Sequence, residues 1–215
     1  MSILVRTDLG TLEWDGTGTI RIQYDGPLGE RMIPVEALRG VTVSDGLELE
    51  LREHADPLLS VSAGSFASIY RFQVADSAAA DEFASQVRIA RARRAVPETA
   101  ATRWLVATPP AADALEGKDA TVAVANGLLM FAYPRSATRR KKAEGSPRSI
   151  PLTDIVEVEW TARAGRQPAV VRVSTARTPA DRPKPKHDPA AVRITPENEL
   201  DALFFAARLL TRIQP

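Results

Sequence analysis

The chain states one pattern twice. Residues 31–43 read "RMIPVEALRGVTV" and residues 148–160 read "RSIPLTDIVEVEW". In each, an arginine (Arg31 or Arg148) leads into an Ile-Pro pair, Ile33-Pro34 or Ile150-Pro151. Proline removes a ladder donor, so each pair marks the end or edge of a strand rather than a central one. The match extends outward. Gly16, Ile20 and Ile22 correspond to Gly127, Phe131 and Tyr133 upstream. Phe72 and Val74 correspond to Val192 and Ile194, and Phe83 and Val87 to Leu203 and Ala207, downstream. The order of features is kept and only connecting lengths change, which is the signature of a tandem repeat.

Local patterning says what each copy is. Leu12 and Trp14 alternate before Asp15-Gly16, and Ile20, Ile22 and Tyr24 alternate after it. Period-two alternation around a glycine turn reads as a β-hairpin. In the second copy Val122 and Val124 precede Asn126-Gly127, and Leu129, Phe131 and Tyr133 follow. Asn-Gly favours a tight turn because both residues tolerate positive φ. Further strands are expected around Val41 and Val43, Leu47 to Leu51, and Tyr70 to Val74. Their second-copy counterparts lie around Val156 and Val158, Val171 and Val173, and Val192 and Ile194. Each copy closes with a helix. In the first, Asp76 or Ser77 is the expected N-cap, and Ala79, Phe83, Val87 and Ala90 line one face. In the second, Thr195 is the expected cap with Pro196 at the first position. Leu200, Leu203, Phe204, Ala207 and Leu210 form its stripe. Arginines at the helix ends (Arg88, Arg91, Arg93, Arg94, Arg208, Arg212) read as cations at a C-terminus.

The expected class is therefore α+β: two domains, each a curled antiparallel sheet or partly open barrel capped by a C-terminal helix. The boundaries are 1–95 and 103–215. Residues 96–102 form a linker, because "RRAVPETAAT" lacks periodicity and contains Pro97. A chain of 215 residues suffices for two small cores. The absence of cysteine removes disulfides and thiolate metal sites. "MSILVRTDLG" has no charged leader and only a short apolar stretch, so no signal peptide is expected. The expected location is cytoplasmic, with peripheral attachment at the inner face of the membrane as a variant.

The carriers of a family resemblance are now on the page. Val122 to Tyr133, Ile150-Pro151-Leu152-Thr153-Asp154-Ile155, Val170 to Val173 and Ala191 to Ile194, followed by the helix, resemble bacterial pleckstrin-homology-like and GRAM-like domains. The first copy also resembles an actinobacterial domain family of unknown function that often occurs in tandem. It does so through Trp14-Asp15-Gly16, Leu28 to Pro34 and Ala55-Asp56-Pro57-Leu58. The resemblance implies a fold, and partners drawn from proteins or anionic lipid. In lipid-binding members much of the basic site lies in the first hairpin loop. The matching stretch here, "TPPAADALEGKDA" (residues 108–120), is net acidic.

No catalytic constellation stands out, so a non-catalytic adaptor without metal or cofactor is expected. His54 and His187 lie in different copies without ligand spacing. Gly16-Thr17-Gly18 leads into a strand and offers no helix amides to a phosphate. Asp113, Glu116 and Asp119 read as a solvated acidic loop. One feature exceeds background. An insertion at 134–147, together with Arg148, carries Arg135, Arg139, Arg140, Lys141, Lys142 and Arg148 against the single acid Glu144. That is a net of +5 in a protein of net +1. Its Pro, Ser, Gly and Ala content reads as a mobile loop. These six residues are the candidate site for an anion, a lipid or a protein partner. A second loop, 175–189, is proline-rich and mildly basic, with Arg177, Arg182, Lys184, Lys186 and His187. The expected function is binding a protein partner or self-association. The alternative is weak attachment to anionic membrane through 135–148. Nucleic acid ranks last, because no aromatic residue is interleaved with the charges.

Overall fold

A computed structural model describes residues 2–214; Met1 and Pro215, the outer ends of the expected domain bounds, lie outside the described residues. The chain divides into two compact units. Of the described residues, the first holds 2–60 and 66–109, and the second holds 110–214 with 61–65.

The first unit opens with a four-stranded antiparallel sheet in sequence order: β1 (Ile3–Thr7), β2 (Gly10–Trp14), β3 (Thr19–Tyr24) and β4 (Glu30–Pro34). After Pro34 the backbone makes a short 3-10 turn over Val35–Ala37 and enters a second sheet. That sheet comprises β5 (Leu38–Val43), β6 (Leu47–Leu51) and, after the short helix α1 (Pro57–Val61), β7 (Arg71–Phe72). The helix α2 (Ser77–Arg93) closes the unit. Alternation decides which face is inside. Val5, Leu12, Ile22 and Arg31 lie side by side across the sheet and are all buried, while Leu4, Glu13, Arg21 and Met32 form the adjacent outward row.

The second unit repeats the order. Its four-stranded sheet is β8 (Ala114–Glu116), β9 (Thr121–Ala125), β10 (Leu128–Ala132) and, after the one-turn helix α3 (Arg139–Lys142), β11 (Arg148–Pro151). A 3-10 turn over Leu152–Asp154 again follows the proline. The three-stranded sheet is β12 (Ile155–Thr161), β13 (Val170–Thr175) and β14 (Ala191–Arg193), and α4 (Glu199–Ile213) follows. The repeated Ile-Pro pair thus has one physical job. Proline ends the last strand of the first sheet and starts the turn that carries the chain to the second. The expected curled sheet is realised as two separate sheets in each unit, and among the described residues no sheet closes into a barrel. At the β9–β10 turn Asn126 and Gly127 both have positive φ, at 52° and 74°, as a tight turn of this kind requires.

In both units one aspartate joins the two sheets. After β1, the Asp8 amide donates to the Gln73 carbonyl (3.1 Å), and the Gln73 amide donates back to the Asp8 carboxylate (2.7 Å). After β8, the Lys118 amide donates to the Arg193 carbonyl (2.7 Å), and the Arg193 amide donates to the Asp119 carboxylate (3.0 Å). The second clasp demands glycine beside it. A Cβ on Gly117 would lie 2.2 Å from a Val192 methyl and 2.8 Å from the Arg193 carbonyl oxygen.

Helix faces follow the apolar stripe with adjustments. Phe83 and Leu203 are fully buried. The buried face of α2 is Ala80, Phe83, Ala84 and Val87, turned slightly from the expected one, so Ala79 and Ala90 sit at its margin. The α4 helix is buried over more of its surface than a stripe provides, because Ala202, Phe205, Ala206 and Leu209 join Leu203, Phe204, Ala207 and Leu210. Asp76 is the cap of α2, accepting from the Ala79 amide (3.0 Å). Thr195 does not cap α4. It precedes a 3-10 turn over Pro196–Asn198, its hydroxyl is buried without a partner, and α4 starts at Glu199. The helix-end arginines make specific contacts: Arg94 with Glu36 (2.8 Å) and the Thr17 carbonyl (2.6 Å), and Arg212 with Asp113 (2.7 Å).

The segment expected as a linker is fastened to the first unit. Arg52 donates to the carbonyls of Thr99 (2.7 Å) and Ala100 (3.1 Å), and the Ala101 amide donates to the Glu53 carbonyl (2.7 Å). Strand β7 is only two residues long, with Tyr70 in the turn before it and Val74 in an isolated bridge to Thr7. Among the described residues no helix is long and apolar enough to cross a membrane.

Candidate functional site

The basic insertion is a folded element. Thr138 takes an extended conformation and accepts from the Lys141 amide (3.4 Å), capping the one-turn helix α3. The Lys142 and Ala143 amides close that turn onto the carbonyls of Thr138 and Arg139. Lys142 Nζ donates to the Arg135 carbonyl (3.0 Å), the Ser146 hydroxyl accepts from the Tyr133 amide (3.1 Å), and Ala137 is buried.

Lys141 turns inward, contrary to the expectation for the loop. Its side chain is fully buried. Nζ donates to Asp119 Oδ2 (2.8 Å) and to the Ala191 carbonyl (2.7 Å). Burial pulls its pKa below the ordinary lysine value, and the hydrogen bond and charge of Asp119 oppose that pull. The reason is the clasp. Asp119 already receives the Arg193 amide and the Arg193 guanidinium (2.9 Å), and a second cation completes a buried carboxylate that would otherwise be costly. Asp119 is accordingly no solvated loop acid, and Lys141 cannot meet an external anion. Arg148 is half-buried and paired with Glu144 (3.1 Å). Arg135, Arg139, Arg140 and Lys142 are exposed and are the part of the expected site that faces solvent.

The second loop is also held. Arg182 donates to the Val173 carbonyl (2.6 Å) and the Ser174 hydroxyl (3.0 Å) and pairs with Glu159 (3.3 Å). Asp188 pairs with Arg172 (3.0 Å) and accepts from the Ala190 amide (2.9 Å). Lys184 and Lys186 remain exposed. The two loops meet where the Thr138 hydroxyl donates to the Lys186 carbonyl (3.3 Å) and the Tyr133 hydroxyl donates to the Pro189 carbonyl. Burial pushes the Tyr133 hydroxyl up to about 12, with the Arg148 charge opposing.

The first unit buries its own ion pair away from solvent. Arg31 donates to Asp56 (2.8 Å), Tyr70 donates to the other Asp56 oxygen (2.6 Å), and the guanidinium lies over the Tyr70 ring (5.7 Å). This network joins β4 to the chain entering α1. It went unread in the sequence, although Asp56-Pro57 is a recognisable helix start. For Lys141 the available signal was Thr138 directly ahead of the basic run, a cap position that predicts helix rather than loop. His54 is exposed beside Glu53 (3.6 Å), and among the described residues no group of three or more potential metal ligands is clustered.

Residues 127–210 match a family described as a domain of unknown function, DUF4429. The match runs from the β9–β10 turn into the last turn of α4 and includes both basic loops. No curated protein matches the chain. No solved structure matches it either.

Proposed function

We propose that this chain is a non-catalytic interaction protein built from two pleckstrin-homology-like domains, binding a protein partner or a second copy of itself in the cytoplasm. Four strands, three strands and a closing helix, repeated in that order, support the domain reading. The observation that carries the binding reading is Leu4 and Met32, 55% and 48% exposed on β1 and β4, the two outer strands of one sheet. Soluble proteins usually blunt such edges with charge. Apolar side chains there suit a partner strand or surface that covers them.

The test is capture from host lysate at low and high salt, with sedimentation to detect self-association. The parent should retain a partner or a second copy when salt is raised, because apolar contact survives when the Debye length shrinks to ~8 Å and below. A Leu4→Lys, Met32→Lys double variant with an unchanged melt should lose it. A monodisperse monomer that captures nothing would defeat the reading.

A second reading rests on Arg135, Arg139, Arg140 and Lys142, exposed on one insertion: attachment to anionic lipid. At up to about 1 kcal/mol per cation, four cations give a millimolar affinity. Sedimentation with anionic vesicles at low and physiological salt measures it.

A further inference from the structure

We propose that the two loops of the second unit form one basic surface that grips an acidic, extended peptide segment of a partner protein. The inference rests on the interaction-protein reading and names a surface and partner chemistry for it.

Three observations carry it. First, the loops adjoin through the Thr138–Lys186 and Tyr133–Pro189 hydrogen bonds, so Arg135, Arg139, Arg140 and Lys142 from one and Lys184 and Lys186 from the other belong to one surface. Second, most nearby acids are already used. Asp119 is taken by Lys141 and Arg193, Asp188 by Arg172, Glu159 by Arg182 and Glu144 by Arg148, while Asp181 stays exposed. The six exposed cations therefore face solvent with little internal neutralisation. Third, buried anchors hold both loops, Lys141 in the first and the Arg172–Asp188 pair in the second. The cations are consequently presented at fixed spacing with less ordering left to do on binding.

Charge complementarity selects an acidic occupant, whose carboxylates or phosphates the three arginines among the six cations can hold with two parallel bonds. One detail favours a peptide over a bilayer. The large exposed apolar side chains, Leu4, Met32, Ile89 and Val156, belong to β1, β4, α2 and β12, so neither loop carries one as a membrane wedge. The first unit has no counterpart of the insertion. Its β3–β4 connection spans only residues 25–29.

The test is fluorescence anisotropy of a labelled peptide of alternating Glu and Ser, titrated with the full chain at low salt, with phosphatidylserine vesicles as a parallel arm. The surface predicts binding that weakens about tenfold or more for Arg139→Glu with Arg140→Glu, and by a similar factor for Lys184→Glu with Lys186→Glu. Both variants change exposed side chains, and their melts should match the parent. A second-loop variant that binds like the parent overturns the composite surface. So does binding to vesicles without binding to the peptide, which would make this a membrane-facing patch. If the peptide fails while Leu4- and Met32-dependent capture persists, only this surface is lost. If both fail, the interaction reading is lost as well.

Discussion

Arg31 and Arg148 open the same repeated motif and end in different chemistry. Arg31 is sealed in the first unit against Asp56 and Tyr70, while Arg148 stays half in solvent beside Glu144. The second unit places its sealed cation elsewhere, at Lys141 on the clasp aspartate Asp119. The clasp shows the complementary difference. Asp8 is exposed and holds one backbone amide, whereas Asp119 is buried and holds an amide and two cations. The repeat conserves the backbone solution of strands, turns and sheet joint. In each unit a buried ion pair fixes a connecting segment: Arg31–Asp56 the chain leading into α1 in one, Lys141–Asp119 the basic helix α3 in the other. A buried pair is weak evidence for net stability, since desolvation offsets most of its attraction. Its consequence is positional, because breaking it strands a charge.

The largest expected effect is Asp56→Ala. It leaves Arg31 buried, with Nε and Nη1 already unpartnered, and should cost about 3–5 kcal/mol in a urea titration. The double variant Arg31→Met, Asp56→Leu should cost less than that single one; a larger loss would mean the pair contributes net stability. Asp119→Ala comes next at about 3 kcal/mol, because Arg193 can turn to solvent while Lys141 cannot. Lys141→Met should cost only about 1 kcal/mol, since Asp119 keeps both Arg193 bonds. Equal losses for Asp119→Ala and Lys141→Met would break the asymmetry.

A smaller effect separates the two hairpins by pH. Asp15 in the β2–β3 turn feels some burial, which raises its pKa. The amides of Thr19, Gly18 and Thr17 and the Thr17 hydroxyl outweigh this and hold it well below its ordinary 3.8. The unfolded chain therefore takes up the proton first as pH falls. The stability Asp15 contributes is present above pH 3.8 and is lost as pH drops through the folded-state value. The melting difference between the parent and Asp15→Asn should be widest at neutral pH and shrink in acid. The matching residue of the second hairpin is the neutral Asn126, so Asn126→Ala should show no such narrowing. Smallest of all is Asp8→Ala, at about 0.5 kcal/mol for one exposed side-chain bond.

The parts legible in the sequence are those that backbone chemistry enforces locally. Pro34 and Pro151 end strands wherever the chain goes next, Asn126-Gly127 makes its turn, and Phe83 and Leu203 sit on faces that period 3.6 defines. Strands β1 and β8 were not legible. β8 has only three residues to carry a pattern, β1 lies outside the hairpin that its glycine turn marks, and pairing with β2 and β9 defines them. The cation cluster was legible as a charge count, but which of its members face solvent was not. Composition cannot tell which of four adjacent cations turns inward, and Lys141 does so because Asp119, 22 positions away, waits at a sheet joint no local pattern reveals.

Amide hydrogen exchange over residues 138–144 tests the central claim, that a buried ion pair fixes the insertion. Exchange reports local opening directly. The account predicts that the Lys141, Lys142 and Ala143 amides exchange at least about tenfold more slowly than an unstructured peptide of the same sequence, and that Lys141→Ala removes the protection while α4 stays protected. Exchange at the unstructured rate in the parent, or protection undiminished in Lys141→Ala, would contradict it.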